Sequence, residues 1–156
     1  MYSIELKQAL LTELTAHLSK LATTKPNIYI DEIPKSKFEN QKIDVFPFVL
    51  IEVARGVVPV RSNSDTLNTR TVVINLGVDT SKSNQAEIET LAGAIIEYIL
   101  DKRYIADMFE LTGNEIVFEY GKLDEQGLSP FKYGYIQMDF KMPTITDNTV
   151  IENILT

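Results

Sequence analysis

Apolar residues recur along the chain at two periods, and the period predicts the element each stretch forms. Residues 3–22, SIELKQALLTELTAHLSKLA, put Leu11, Leu14, Leu18 and Leu21 at helical spacing, with Ile4, Ala9 and Leu10 widening the stripe. Ser3 is a candidate cap for that helix, and Pro26 bars its continuation. IYIDEI (28–33) predicts a short strand, and Pro34 bounds the polar loop that follows. FPFVLIEVARGVV (46–58) predicts a strong strand with Val49, Ile51, Val53 and Val57 on one face. Phe48 and Leu50 make its first half apolar on the other face too, so both faces should be covered or one should meet another subunit. PVRSNSDTLNT is too polar and too long for a tight turn and predicts a projecting hairpin loop.

RTVVINLGVD (70–79) returns as a strand, with Val72, Ile74, Leu76 and Val78 on one face. A second helix follows over 84–104, striped by Ile88, Leu91, Ala92, Ile95 and Ile99 and broadened by Ile96 and Leu100. EIVFEYG (115–121) alternates Ile116, Phe118 and Tyr120 against Glu115 and Glu119. FKYGYIQMDFKM (131–142) alternates Ile136, Met138, Phe140 and Met142 inward against Tyr135, Gln137, Asp139 and Lys141. The order is helix, strand, strand, strand, helix, strand, strand. It predicts an α+β domain over 1–143, a mixed, mostly antiparallel sheet of about five strands with both helices packed on one face. The remainder, 144–156, reads as a C-terminal arm, yet it carries Ile145, Val150, Ile151, Ile154 and Leu155, which are costly to leave in water.

Candidate chemistry is sparse. GVDTSKSNQ (77–85) has the strand–loop–helix layout of a phosphate loop, but a Lys82-Ser83 pair in that motif needs glycines at 76 and 81, which hold Leu76 and Ser81. The stretch is better explained as a turn and a helix cap, with Asn84 and Glu87 approximating a capping box and Ser83 as the alternative cap. His17 is the one histidine, set beside Leu14, Leu18 and Leu21, and reads as a partly buried helix-face residue. Asp139-Phe140-Lys141 has the acid-x-Lys form of some metal-dependent nucleases, with Glu119 or Asp79 as a second acid; alternation instead places Asp139 and Lys141 on a charged outer face. Phe131, Lys132, Tyr133 and Tyr135 interleave aromatic and basic character as a base-stacking platform would, among acids that oppose it. No catalytic, cofactor or metal residues are assigned.

The totals narrow the class. With 156 residues, 44% hydrophobic and 24% charged, the chain suits one globular domain. It has no cysteine, which removes disulfides and thiolate chemistry. MYSIELKQ lacks a basic-then-apolar leader, and no run approaches the ~20 apolar residues of a membrane span, so a soluble intracellular protein is expected. A net charge of −7 opposes sequence-independent DNA binding.

The arrangement resembles the tail terminator and tail-completion (head–tail joining) proteins of long-tailed bacteriophages and prophages. The likeness rests on a short N-terminal helix before FPFVLIEV, a long polar loop into RTVVINLGVD, the EIETLAGAIIEYIL helix and the closing KYGYIQMDFKMPTI, and covers most of 3–145. The resemblance implies a non-enzymatic virion protein, assembled in the cytoplasm of a bacterial host. Such subunits form a homo-oligomeric ring, commonly a hexamer, that caps the tail tube and meets the head-connector protein. DNA passes through the channel without specific binding. In that setting Phe48, Leu50, Ile145, Val150 and Ile154 would bury against neighbours, and Arg61, Asp65 and Arg70, in or near loop 59–69, would reach the tube or the next subunit. The alternatives are another structural joiner or a small protein-interaction domain, and after these a Mg²⁺-dependent nuclease built on Asp139 and Lys141.

Overall fold

A computed structural model describes residues 2–34, 44–60, 68–121 and 130–143. It is an α+β structure, with helices α1 (Ser3–Leu18) and α2 (Ile88–Lys102) and strands β1 (Asn27–Ile30), β2 (Phe48–Val57), β3 (Thr69–Asp79), β4 (Tyr104–Ile105), β5 (Phe109–Tyr120) and β6 (Phe131–Lys141). The strands form one six-stranded sheet in the order β1-β2-β3-β6-β5-β4. Only β1 and β2 pair in parallel; the other pairs are antiparallel. The expected five strands are thus six, because β4 was not foreseen. β2 pairs with β3 and β5 with β6 as antiparallel neighbours, and α2 crosses from β3 to β5 over β6.

Alternation sorts most sheet residues as the sequence implies, except that an irregularity between Val53 and Arg55 moves Val57, expected beside Val53, to the opposite face in register with Thr69. Val49, Ile51, Val72, Ile74, Leu76, Val78, Ile136, Met138 and Phe140 are fully buried in one cluster with residues of both helices. Phe46, Leu50, Val73, Asn75, Tyr133, Tyr135 and Gln137 belong to the opposite face, which no helix covers among the described residues. The predicted stripe of α2 is buried in full: Ile88, Leu91, Ala92, Ile95 and Ile99. Leu100, expected to broaden it, is 48% exposed.

The stripe of α1 differs from the prediction. Leu6, Leu10, Leu14 and Leu18 are buried, a ridge of side chains four residues apart, while Leu11 and Leu21 are only partly buried and Ile4 faces solvent. The helix also ends at Leu18 rather than near 22. Amides of Lys20 and Leu21 turn to the carbonyls of His17 and Leu18 at 3.2 Å, a tighter turn than α, and Ser19 Oγ donates to the Ala16 carbonyl. Ser3 does not cap it. The N-cap is Tyr2, in the left-handed region without a side-chain cap bond, and Ser3 Oγ accepts instead from Arg70 Nε at 3.1 Å.

At the other end of α2, Arg103 takes φ 61° and closes the helix, its amide bonding the Ile99 carbonyl at 2.8 Å. Ala106 and Asp107 follow with φ 54° and 56°, the paired positive values of a tight hairpin turn, so the chain reverses directly into β5. That strand begins at Phe109, earlier than the predicted Glu115. An irregularity between Thr112 and Val117, with Gly113 at φ 86°, interrupts its pairing to β6 and its alternation.

Candidate functional site

The helix-free face divides along the strands into an aromatic half and a polar half. Register places Tyr29, Leu50, Asn75, Tyr135 and Glu119 in one row across five strands. The neighbouring row holds Phe48, Gly77 and Tyr133. Beyond them Phe46 stacks on Phe131 with ring centroids 4.6 Å apart and planes 16° apart, and lies 5.4 Å from Phe48 and 6.0 Å from Tyr133. In the other direction come Glu52, Val73 and Gln137, then Arg55, Thr71 and Asp139.

Gly77 makes the aromatic half possible. A β-carbon there would lie 2.1 Å from Phe48 Cε1 and 2.7 Å from Cζ, so the Phe48 ring occupies the space a side chain would take. Phe48 is consequently buried although no second layer covers it among the described residues, while Leu50, Phe46, Tyr133 and Tyr135 stay half-buried.

Polar groups beside this patch are paired with one another. Asn75 Nδ2 donates to Glu52 at 2.9 Å, and the Tyr135 hydroxyl donates to Glu119 at 2.7 Å. The bond to Glu119 raises the Tyr135 phenol above its ordinary value, and a bond to Glu89 does the same for Tyr120. A groove of about 420 Å³ runs between Asn75, Tyr133, Tyr135, Glu119, Tyr120 and Gly121. The surface presents aromatic faces and aliphatic carbon, with Glu52 already accepting from Asn75 and Glu119 from Tyr135.

The predicted interface residues separate into three groups. Phe48 and Leu50 lie on the aromatic half. Arg70 is on the helix side, 7% exposed, with Nη1 donating to Asn68 Oδ1 at 2.9 Å and to the Thr69 carbonyl at 2.8 Å, besides the Ser3 bond. Arg61, Asp65, Ile145, Val150 and Ile154 lie outside the described residues. Phe46, Tyr133 and Gly77 were not singled out as interface residues. The signal for Gly77 was present, since a glycine inside a strong strand pattern marks close approach.

The other candidates resolve as local structure. Asp79 accepts from Ser81 N at 3.0 Å and Ser81 Oγ at 2.6 Å, and Gln85 Oε1 accepts from Asp79 N at 2.7 Å. Lys82 pairs with Asp44. The loop is a side-chain-stapled turn. The expected cap does not form, because α2 begins later, with Glu87 as an extended N-cap lacking a side-chain bond. Asn84 instead accepts from Thr24 N through its carbonyl at 2.8 Å. Asp139 accepts from Thr71 Oγ1 at 2.6 Å. Strand register sets Glu119 about 13 Å and Asp79 about 26 Å along the sheet from it, so the acids do not converge. Among the described residues no three His, Cys, Asp or Glu side chains cluster as a metal site would require. No described helix is long and apolar enough to cross a membrane.

His17 is half-buried against Tyr98, ring centroids 4.6 Å apart. Beside it Glu13 links three elements: it accepts from the Tyr98 hydroxyl at 2.7 Å and from the Ala106 amide at 2.8 Å, tying α1 to α2 and to the β4–β5 turn. Burial, and then the Glu13 carboxylate, push the Tyr98 phenol up to about 12. Between an unfolded value of about 10 and that value the unfolded chain releases the proton while the folded chain keeps it. The contribution is therefore whole below about pH 10 and is lost as pH rises toward 12. Tyr98→Phe should flatten this alkaline slope in urea midpoints, and Glu13→Ala should cost about 1–3 kcal/mol at neutral pH. An unchanged alkaline slope in Tyr98→Phe would show that another group sets it.

No protein-family model matches the chain, and no curated protein matches it at a significant level.

Proposed function

We propose that the chain is a non-enzymatic virion-assembly subunit of a long-tailed phage or prophage. It forms a ring, commonly a hexamer, that ends the tail tube and joins it to the head connector, and it works in the virion after assembly in the host cytoplasm. The observation that carries this reading is the helix-free sheet face, where Phe46, Leu50, Tyr133 and Tyr135 stay half-buried with no layer over them among the described residues. Apolar surface of that kind marks contact with another protein surface. The resemblance in element order supplies the type of assembly. A net charge of −7 suits a channel that passes DNA without holding it.

Light scattering and negative-stain microscopy test the proposal. A closed ring of roughly six copies is the expected result; a stable monomer at high concentration, unchanged when tail tube protein is added, sinks it. Deleting 144–156 is expected to lower the oligomer mass while circular dichroism and the melting temperature stay close to those of the full chain. Apolar side chains of that segment each contribute about 1.5–3 kcal/mol where fully buried, enough to govern association. Unchanged mass after the deletion would refute this role of the segment.

A further inference from the structure

We infer that the outer edge of β5, from Glu115 to Tyr120, pairs with an extended segment of another protein that carries lysine or arginine at alternate positions. β4 ends the sheet on that side, but it pairs only with Phe109 and Glu110. Past them β5 continues to Tyr120 with β6 on one flank and, among the described residues, no strand on the other. Gly121 N donates to the Tyr133 carbonyl at 3.0 Å, which fixes the direction of the backbone groups before it. Antiparallel pairing then turns the amides and carbonyls of Val117 and Glu119 toward β6, and those of Ile116, Phe118 and Tyr120 outward. The outward groups make a row about 14 Å long at ~3.4 Å per residue. No proline interrupts it, and such a row is a template for one more strand.

Charge selects the occupant. Glu115 and Glu119 are exposed beside this row on the helix-free side, and Glu89 of α2 bonds Tyr120 on the other. β5 contains no lysine or arginine. A second copy of β5 laid antiparallel along the edge, centred anywhere from Ile116 to Glu119, sets a glutamate opposite a glutamate or on the diagonal from one. Like charges so placed oppose pairing, whereas a basic side chain in the same place favours it. The groove of about 420 Å³ gives that side chain a seat, since it opens at Glu119 and is walled by Tyr133 and Tyr135. A lysine or arginine there meets a carboxylate and aromatic rings together. Residues of the added strand on the opposite side lie beside Ile116 and Phe118, which pack against the core, so those residues are apolar. The inference goes beyond the ring reading and does not depend on it.

The probe is a blocked, dye-labelled octapeptide of alternating valine and lysine, titrated against the full chain by fluorescence anisotropy. Its controls are the valine–glutamate counterpart and two versions of equal charge, methylated on the valine or on the lysine backbone amides. The valine–lysine peptide is expected to bind and the valine–glutamate peptide not. One methylated version should bind roughly tenfold or more weakly, because it loses the bonds to β5. Amide exchange should slow at Ile116, Phe118 and Tyr120, while Val117 and Glu119 are already held by β6. Glu115→Lys/Glu119→Lys should weaken binding by roughly tenfold or more with an unchanged melting profile. Should that variant fail to fold, the methylated peptides and the exchange pattern still decide. No binding of the valine–lysine peptide overturns the inference, as does equal binding of the valine–glutamate peptide. Undiminished binding of both methylated versions shows attraction by charge without strand pairing and overturns it too. A wild-type dimer in which those three amides are protected before any peptide is added overturns the choice of partner in favour of a second copy.

Discussion

Phe140→Ala is expected to remove about 3–5 kcal/mol of folding stability, read as a lower urea midpoint with an unchanged slope. Phe140 is fully buried and among the largest side chains in the core. It sits on β6 between β3 and β5, paired with Arg70 and Leu111, so neighbours held by two ladders cannot collapse into the space it leaves. Its chain neighbour supplies the control. Asp139 points to the helix-free face and makes one bond, to Thr71, so Asp139→Ala should cost about 0.5–1.5 kcal/mol. Equal losses from the two substitutions would show that β6 does not present one wet and one dry face. The same Asp139→Ala protein also tests the nuclease alternative, because DNA cleavage that needs Mg²⁺ and disappears with this carboxylate would overturn the assembly reading.

β6 also shows what the sequence made legible. Its alternation runs unbroken from Tyr135 to Lys141, and every inward residue expected there is buried. β3 and α2 were equally readable, since each has one stripe and no competing one. In α1 two stripes compete. Leu10 and Leu11 are adjacent, and both the set Leu11, Leu14, Leu18, Leu21 and the set Leu6, Leu10, Leu14, Leu18 fit a helical period. The early end of the helix decides for the second, by placing Leu21 beyond the regular turns. That end depends on local bonds of Ser19 and on the chain's departure toward β1, which no periodicity reports.

β4 was hidden for a different reason. Tight reversals are usually marked by glycine or by Asn-Gly, because their residues need positive φ. Here Arg103, Ala106 and Asp107 adopt it without a glycine among them. Glu13 rewards that conformation by accepting from the Ala106 amide, a contact between residues remote in sequence. On the helix-free face, Phe48 and Leu50 were legible because β2 is apolar on both sides. The cluster around them was not, since Phe46, Phe131 and Tyr133 meet only once β3 has brought β2 and β6 together.

Gly77 and Phe48 should behave as one unit, and a double-mutant cycle measures it. Gly77→Ala is expected to destabilise by about 1–3 kcal/mol, because the new methyl meets three ring atoms of Phe48 within 2.8 Å. The ring cannot slide sideways across the sheet, with Phe46 centred 5.4 Å and Tyr133 6.3 Å from it. Phe48→Ala alone should cost about 3–5 kcal/mol and leave a trough over Gly77. In that background Gly77→Ala should become neutral, or stabilise by about 0.4–1 kcal/mol, since alanine fits an ordinary strand conformation and restricts the unfolded chain. The coupling is then about 1–4 kcal/mol and opposite in sign to the single-site loss. Additive losses would mean that the ring does not lie on the glycine. The cycle also bears on assembly. Gly77→Ala should lift Phe48 outward without altering any charge, so under the proposed ring assembly a weaker ring at equal folded fraction would assign a role to the flatness of this patch as well as its apolarity.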